Sequence, residues 1–280
     1  MDAKSPHAFV QHGATDPLGQ QAIQRILQRG DCRSAAYYES AASTNSIALR
    51  EPHDAKQLPR LIVTDRQSAG RGRLGRQWYS DSGTLTFSLA LAADTLRVPP
   101  SARSLVALAA GMGVADAAEF CVSPIRPLIK WPNDVYLGDQ KIAGLLVEAT
   151  NEQAGSGQPT QIVIGIGVNV STDFSAAPQE VQDRATSIAA VAVSELSRYA
   201  LLPRVVEQVL ERITQLNEAT PELLAEFRQR CYLTGRVIRV RRPDQTLQGR
   251  VLGVDDQGTL ELATSQGVHP IHAGEIEVLK

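Results

Sequence analysis

Gly70-Arg71-Gly72-Arg73-Leu74-Gly75-Arg76-Gln77-Trp78 places three guanidiniums among three glycines and ends on an indole. Glycine lets the backbone turn to positive φ and approach a ligand closely. Each guanidinium offers a planar donor fork that matches a phosphate or a carboxylate. Three like charges this close repel one another, so the loop is expected to be mobile until an anion steadies it. A solvated basic turn is the alternative reading of the pattern alone. Gly70, Gly72 and Gly75 also satisfy the G-x-G-x-x-G spacing of dinucleotide sites, but such a site needs a helix next, and residues 84–91 read as a strand. Gly70 and Gly75 have P-loop spacing, yet Arg76-Gln77 stands where Lys-Ser/Thr should hold phosphate and magnesium. With residues 61–65 as a strand before it, the unit is strand, basic loop, strand.

Around this unit, 280 residues with 43% apolar content suffice for one large domain and a smaller one. A net charge of -2 calls for no polyanion partner. Cys32, Cys121 and Cys231 lack metal-ligand or C-x-x-C spacing and suit a reducing compartment as buried small hydrophobes. No signal sequence opens the chain and no unbroken apolar run reaches membrane-spanning length, so a soluble, cytoplasmic protein without membrane contact is expected.

Residues 1–18 read as a loose tail and 20–28 as a short helix. Residues 34–39 read as a strand and 45–50 as a short helix. Ser101 is placed to cap an Ala-rich helix running to Phe120. Residues 128–131 and 135–137 look extended, and Gly138-Asp139 makes a tight turn into 141–148, a hairpin. A polar loop, 151–160, precedes the clearest strand, 161–170. There Ile162, Ile164, Ile166, Val168 and Val170 share one face, while Gly165, Gly167 and Asn169 share the other. A strand face without side chains leaves room for something to pack on bare backbone, either a ligand or a close helix. Helices are expected to dominate 185–230, with Pro203 and Pro221 in first turns. Beyond Tyr232, short β runs at 236–241, 247–254, 259–263, 268–271 and 275–279 read as a small β-barrel. Its basic cluster, Arg236, Arg239, Arg241 and Arg242, has no interleaved aromatics and reads as a solvated strand face rather than a nucleic-acid site. His269 and His272 read as surface residues.

The second chemical cluster is Lys130-Trp131-Pro132-Asn133-Asp134 with Lys141-Ile142-Ala143-Gly144. A two-residue turn pairs Tyr136 with Lys141 and Asp134 with Ala143, which puts Asp134 and Lys141 on one face. A three-residue loop would change that register. A lysine facing a carboxylate keeps its charge and can grip a developing negative charge. A surface pair of little energetic value is the alternative.

Taken with Ser43-Thr44-Asn45 and Gly165-Ile166-Gly167-Val168-Asn169-Val170, these segments are similar to the motifs of the biotin protein ligase family, and the similarity runs from about residue 36 to the end. The resemblance implies an α+β fold: a mixed-sheet catalytic domain of the class II synthetase/biotin–lipoate ligase type and a small C-terminal SH3-like β-barrel. The division expected is 1–30 tail and short helix, 31–231 catalytic domain, and 232–280 C-terminal domain. Some relatives carry an N-terminal winged helix-turn-helix and double as repressors. This chain has too few residues before the similarity for one, so no DNA partner is expected.

The implied activity joins biotin to a lysine of a biotin carboxyl carrier protein through biotinyl-5′-AMP, using ATP and Mg²⁺. Carried over by resemblance, Ser43, Thr44, Asn45 and Gln67 contact biotin's ureido ring and the loop base. Arg71, Gly72 and Arg73 form the loop that closes on biotin and phosphate. Lys141 bridges the biotin carboxyl group and the phosphate, and Gly144 and Gly165 leave space for the bicycle and its chain. Arg76, Trp78, Asn133, Asp134 and Asn169 join Arg73 and Lys141 around the nucleotide, with Asn169 on the adenine. Catalysis falls to Lys141, Arg73 and Arg71. Metal ligands are left unassigned, and the chain is expected to be a monomer or homodimer. A lipoate or octanoate ligase of the same fold, a non-enzymatic biotin sensor and a kinase-like nucleotide enzyme are the competing readings.

Overall fold

A computed structural model describes residues 8–50, 55–97, 104–150, 161–192, 194–242 and 245–279. Its elements are, in chain order, β1 (Ala8–His12), α1 (Pro17–Arg29), β2 (Ser34–Ala41), α2 (Thr44–Arg50), β3 (Arg60–Gln67), β4 (Thr84–Ala92), α3 (Ser104–Val122), β5 (Leu128–Lys130), β6 (Asp134–Leu137), β7 (Gln140–Ala149), β8 (Gln161–Asn169), α4 (Gln179–Gln182), α5 (Arg198–Glu218), α6 (Thr220–Arg230), β9 (Val237–Arg241), β10 (Thr246–Val254), β11 (Leu260–Thr264), β12 (Gly267–Ile271) and β13 (Glu275–Val278).

Strands β1 to β8 form one eight-stranded sheet in the order β1-β2-β3-β4-β8-β7-β6-β5. The pairs β1–β2 and β2–β3 are parallel and the remainder antiparallel, so the sheet is mixed, as expected. Ile162, Ile164, Ile166 and Val168 of β8 join Leu85, Phe87 and Leu89 of β4 in one core, with helices α1, α3 and α5 contributing from the same side. By length and composition α3 could cross a membrane, but here it is largely buried against α5 and the sheet. The opposite face carries only a small apolar cluster, Ala48, Leu58, Ile62, Ala90 and Val163, under α2. Among the described residues no other helix covers that face, where the site lies.

Several expectations need correction. Residues 8–12, read as tail, pair in parallel with β2 as an edge strand. Helices α5 and α6 do dominate 185–230, but they begin only at Arg198; the described residues between Ala185 and that point are irregular apart from one 3₁₀ turn at Ile188–Ala190. The backbone around Ala185 is extended because it serves β7: Lys141 N–H donates to Arg184 O at 2.8 Å and Thr186 N–H to Lys141 O at 3.0 Å. Pro203 lies inside α5 rather than in its first turn, whereas Pro221 does sit at the start of α6. The helix starts further upstream because its first two side chains are held: Arg198 ion-pairs with Asp65 at 3.2 Å, and the Tyr199 hydroxyl donates to the same carboxylate. Ser101 and the 151–160 loop lie outside the described residues.

The last five strands form a separate antiparallel sheet, β12-β11-β10-β9-β13. It is joined to the first unit where the Trp131 indole N–H donates to Gly258 O at 3.0 Å. Gly258 holds φ +73, and a Cβ there would run into the Leu105 side chain and lie 3.2 Å from Leu108. Gly258→Ala is therefore expected to combine left-handed strain with overpacking and to lower the melting temperature by about 4 °C or more. Thermal unfolding followed by circular dichroism checks this, and an unchanged midpoint would show that the junction tolerates the added methyl.

Candidate active site

The basic loop is a short hairpin closed at its base. Trp78 N–H donates to Gly70 O at 2.9 Å and Gly72 N–H to Arg76 O at 2.7 Å, with a 3₁₀ turn at Arg73–Gly75 forming the tip. Of its glycines only Gly75 takes positive φ, at 74°; the exposed Leu74 beside it does so too, at 56°. Gly70 serves a different need, since a Cβ there would lie 2.7 Å from Trp78 O. Repulsion among the arginines is met by one acceptor each. Arg71 reaches Glu148 on β7 at 2.9 Å, Arg73 reaches Asn133 Oδ1 at 3.0 Å, and Arg76 ion-pairs with Glu275 of the C-terminal sheet.

Asn133 is rigid enough to serve. Its Nδ2 donates to Leu145 O at 2.7 Å and its own carbonyl accepts from Leu145 N–H at 2.9 Å. Asp134 ion-pairs with Lys141 at 2.6 Å, as the shared hairpin face requires. The register differs beyond that point. Tyr136 pairs with Lys141 across the two-residue turn, but a bulge at Ile142 makes Asp134 pair with Gly144 instead of Ala143.

The wall opposite the loop is polar and buried. Ser43 Oγ accepts from Ser46 N–H at 3.4 Å at the start of α2, and Thr44 N–H donates to Gln67 Oε1 at 2.9 Å. Ser88 of β4 donates to Asn45 Oδ1 at 2.6 Å and lies 2.7 Å from Thr44 Oγ1. Asn45 Nδ2 donates to Leu146 O at 3.1 Å and to Glu148 Oε2 at 2.8 Å.

Fourteen of the fifteen expected site residues line one cleft: Ser43, Thr44, Asn45, Gln67, Arg71, Gly72, Arg73, Arg76, Trp78, Asn133, Asp134, Lys141, Gly144 and Gly165. The exception is Asn169. It is buried beneath the wall, with Nδ2 donating to Lys141 O at 3.3 Å and Thr186 O at 3.2 Å, so it steadies the lysine's backbone. Its Oδ1 has no hydrogen-bond partner among the described residues. The glycines also differ from expectation. A Cβ on Gly165 would strike the Asn45 amide, one on Gly144 would lie 2.9 Å from Lys141 Nζ and 3.0 Å from the Trp78 ring, and one on Gly167 would strike the same indole. The bare backbone therefore receives protein side chains, the first turn of α2 among them, rather than empty space.

Sequence reading missed several residues. Thr86 and Glu275 also line the cleft, Glu148 holds two of its members, and Lys130, singled out within its motif but given no role there, lines it too. Gly144, Leu146 and Glu148 alternate along β7, so strand periodicity could have found Glu148; nothing local marks Glu275, 199 residues from Arg76. Arg73 and Lys130 are the lining cations without a carboxylate ion pair among the described residues. Burial pushes both below their ordinary pKa values, with Asp134 opposing the shift. Undercompensated, partly desolvated cations favour an incoming anion more strongly than the same groups in water.

Residues 37–169 match the family model described as the biotin/lipoate A/B protein ligase family, and residues 234–279 match the biotin protein ligase C-terminal domain. The chain is 33% identical over 270 residues to the biotin–[acetyl-CoA-carboxylase] ligase of Mycobacterium tuberculosis, covering 94% of this chain and 97% of that protein. It is 30% identical over 245 residues to the bifunctional ligase/repressor BirA of Bacillus subtilis, covering 86% and 73%. Among solved structures, the Aquifex aeolicus biotin protein ligase in complex with biotin and ATP superposes with a TM-score of 0.75 at 26% identity, covering 88% of this chain and 98% of that one.

Proposed function

The chain belongs to the biotin protein ligase family, and we propose that it joins biotin to a lysine of a biotin carboxyl carrier domain in two steps through biotinyl-5′-AMP. In the first step a carboxylate oxygen of biotin attacks the α-phosphorus of ATP, and the bond to the bridging oxygen breaks to release pyrophosphate. In the second, the neutral ε-amine of the carrier lysine attacks the acyl carbon, AMP leaves, and the nitrogen loses its proton.

The observation that carries this reading is the convergence of Lys141 and Arg73 on one cleft, beside a buried wall of neutral hydrogen-bonding groups. Two anions must meet in the first step, and fixed cations lower that barrier without proton transfer. Lys141, held by Asp134 at 2.6 Å, and Arg73, held by Asn133 at 3.0 Å, neutralise the carboxylate and the α-phosphate. Lys130 and Arg76 lie on the same cleft for the outgoing pyrophosphate. Ser43, Thr44, Asn45 and Gln67 provide alternating donors and acceptors for a ureido ring. Arg71 and Gly72 close over the acyl chain, and Trp78 packs on the ligand.

No group of three or more His, Cys, Asp or Glu side chains that could hold a metal exists among the described residues. That fits Mg²⁺ arriving with the triphosphate, which ordinarily keeps most of its shell from phosphates and water. Asp134, which ion-pairs with Lys141 through Oδ1, and Asn133 beside it are the residues that would hold the ion. Bound there, the ion would offset negative charge on the phosphates.

Purified protein is expected to exchange labelled pyrophosphate into ATP only when biotin is present. Equal exchange with lipoate or octanoate would overturn the biotin assignment in favour of a lipoate or octanoate ligase. Gly165→Ala supplies a second check, because the added methyl displaces the Asn45 amide. Biotin binding measured by calorimetry should weaken by about tenfold or more, the effect of ~1–3 kcal/mol of overpacking. Unchanged affinity would remove Asn45 from the ureido wall.

A further inference from the structure

Glu148 is absent from every motif that marks this site, yet two of the site's functional elements end on one of its oxygens. Oε2 accepts from Asn45 Nδ2 at 2.8 Å and from Arg71 Nη2 at 2.9 Å. The first donor belongs to the buried wall at the start of α2, the second to the basic loop. We infer that Glu148 is a positioning residue that sets the orientation of the Asn45 amide and the place of Arg71 together, so that the ureido wall and the loop are aligned by one carboxylate. This inference rests on the ligase reading for the identity of the substrate, but the alignment itself is read from the contacts alone.

The Asn45 amide has few alternatives. Its oxygen accepts from Ser88 Oγ at 2.6 Å and its nitrogen donates to Leu146 O at 3.1 Å as well as to Glu148. Turning the amide over would set its oxygen against two acceptors, and a carboxylate makes that reversal costlier than a neutral partner would. Arg71 is different. Its side chain is 44% exposed while that of Glu148 is 24% exposed, and an ion pair this open contributes little stability. What the pair provides is direction: it draws the guanidinium into the cleft and away from solvent. Glutamine at this position could not serve both donors as well. Its one oxygen, set where Oε2 stands, would have to accept from both without a charge, so the hold on the Arg71 guanidinium weakens most, and the NH₂ beside it adds a donor where the carboxylate had an acceptor.

Hydrogen exchange over residues 70–78 of the substrate-free protein, together with biotin-dependent pyrophosphate exchange, tests this in the wild type and in Glu148→Gln and Glu148→Asp. Glu148→Gln should lose protection across 70–78 and raise KM for biotin by about tenfold or more, with kcat changed less than about threefold and the melting temperature nearly unchanged. Glu148→Asp keeps the charge and should recover part of both losses. Wild-type protection and wild-type KM in Glu148→Gln would overturn the inference. A loss of melting temperature and of protection throughout β7 in both variants would also overturn it, by reducing Glu148 to a structural role. A wild-type protein without biotin-dependent exchange would overturn the ligase reading instead, and the protection of 70–78 would then decide the Glu148 inference by itself.

Discussion

Lys141→Ala is expected to fold normally and to form adenylate at least about a hundredfold more slowly than the wild type, since a charge contact strengthened in the transition state is worth roughly 3 kcal/mol or more. Normal folding follows from the position of the side chain: it points into the cleft, its partner Asp134 is 22% exposed and able to take up water, and the backbone bridges to Arg184 and Thr186 do not depend on the side chain. Single-turnover formation of biotinyl-AMP, with a melting curve as control, reads the effect. A variant with near-normal rate and unchanged melting would show that the Asp134–Lys141 pair is a surface ornament of the hairpin and that the negative charge is met elsewhere.

Arg73→Gly should slow adenylate formation, by removing one of the two cations that serve the first step, and should also let go of what is still made. Arg73 ties the tip of the basic loop to Asn133 at 3.0 Å, whereas Arg71 and Arg76 tie its two sides to Glu148 and Glu275. Removing the central tie and adding a fourth glycine to the loop lowers the order of the segment that keeps water and bystanders from a reactive mixed anhydride. Activated biotin should then escape and label an unrelated lysine-rich protein about tenfold or more above the wild-type level, the effect of losing one charge-assisted hydrogen bond. If the variant still makes adenylate but labels bystanders no more than the wild type does, the loop is not the barrier to escape.

The parts of this site that were legible in the sequence are those set by local periodicity. Alternation along β8 assigned Ile162, Ile164, Ile166 and Val168 to the core and the glycines to the opposite face, and that arrangement holds because strand side chains alternate strictly. Asp134 and Lys141 were expected on one face and do ion-pair, but not through the register expected, because the two-residue turn fixes the ladder only as far as Tyr136 and Lys141. The bulge at Ile142 lies just beyond it and shifts only the later pairs. What occupies the glycine face was not legible. Asn45 and Trp78 come from segments far away in the chain, and bare backbone accommodates a side chain as readily as a ligand. The extended run at 184–186 was hidden for a related reason: its local composition suits a helix, but its backbone groups are consumed by Lys141. Glu275 was beyond reach because its link to Arg76 exists only once the two sheets are joined.

On the reading proposed above, this cleft activates biotin with ATP and delivers it to one lysine of a carrier domain. Purified protein incubated with radiolabelled biotin, ATP, Mg²⁺ and a biotin carboxyl carrier domain, resolved on a denaturing gel, tests it in one step. A labelled carrier band is expected that requires ATP and disappears when the carrier's acceptor lysine is replaced by arginine. Absence of that band with intact carrier, or its persistence without ATP or without the acceptor lysine, would contradict it.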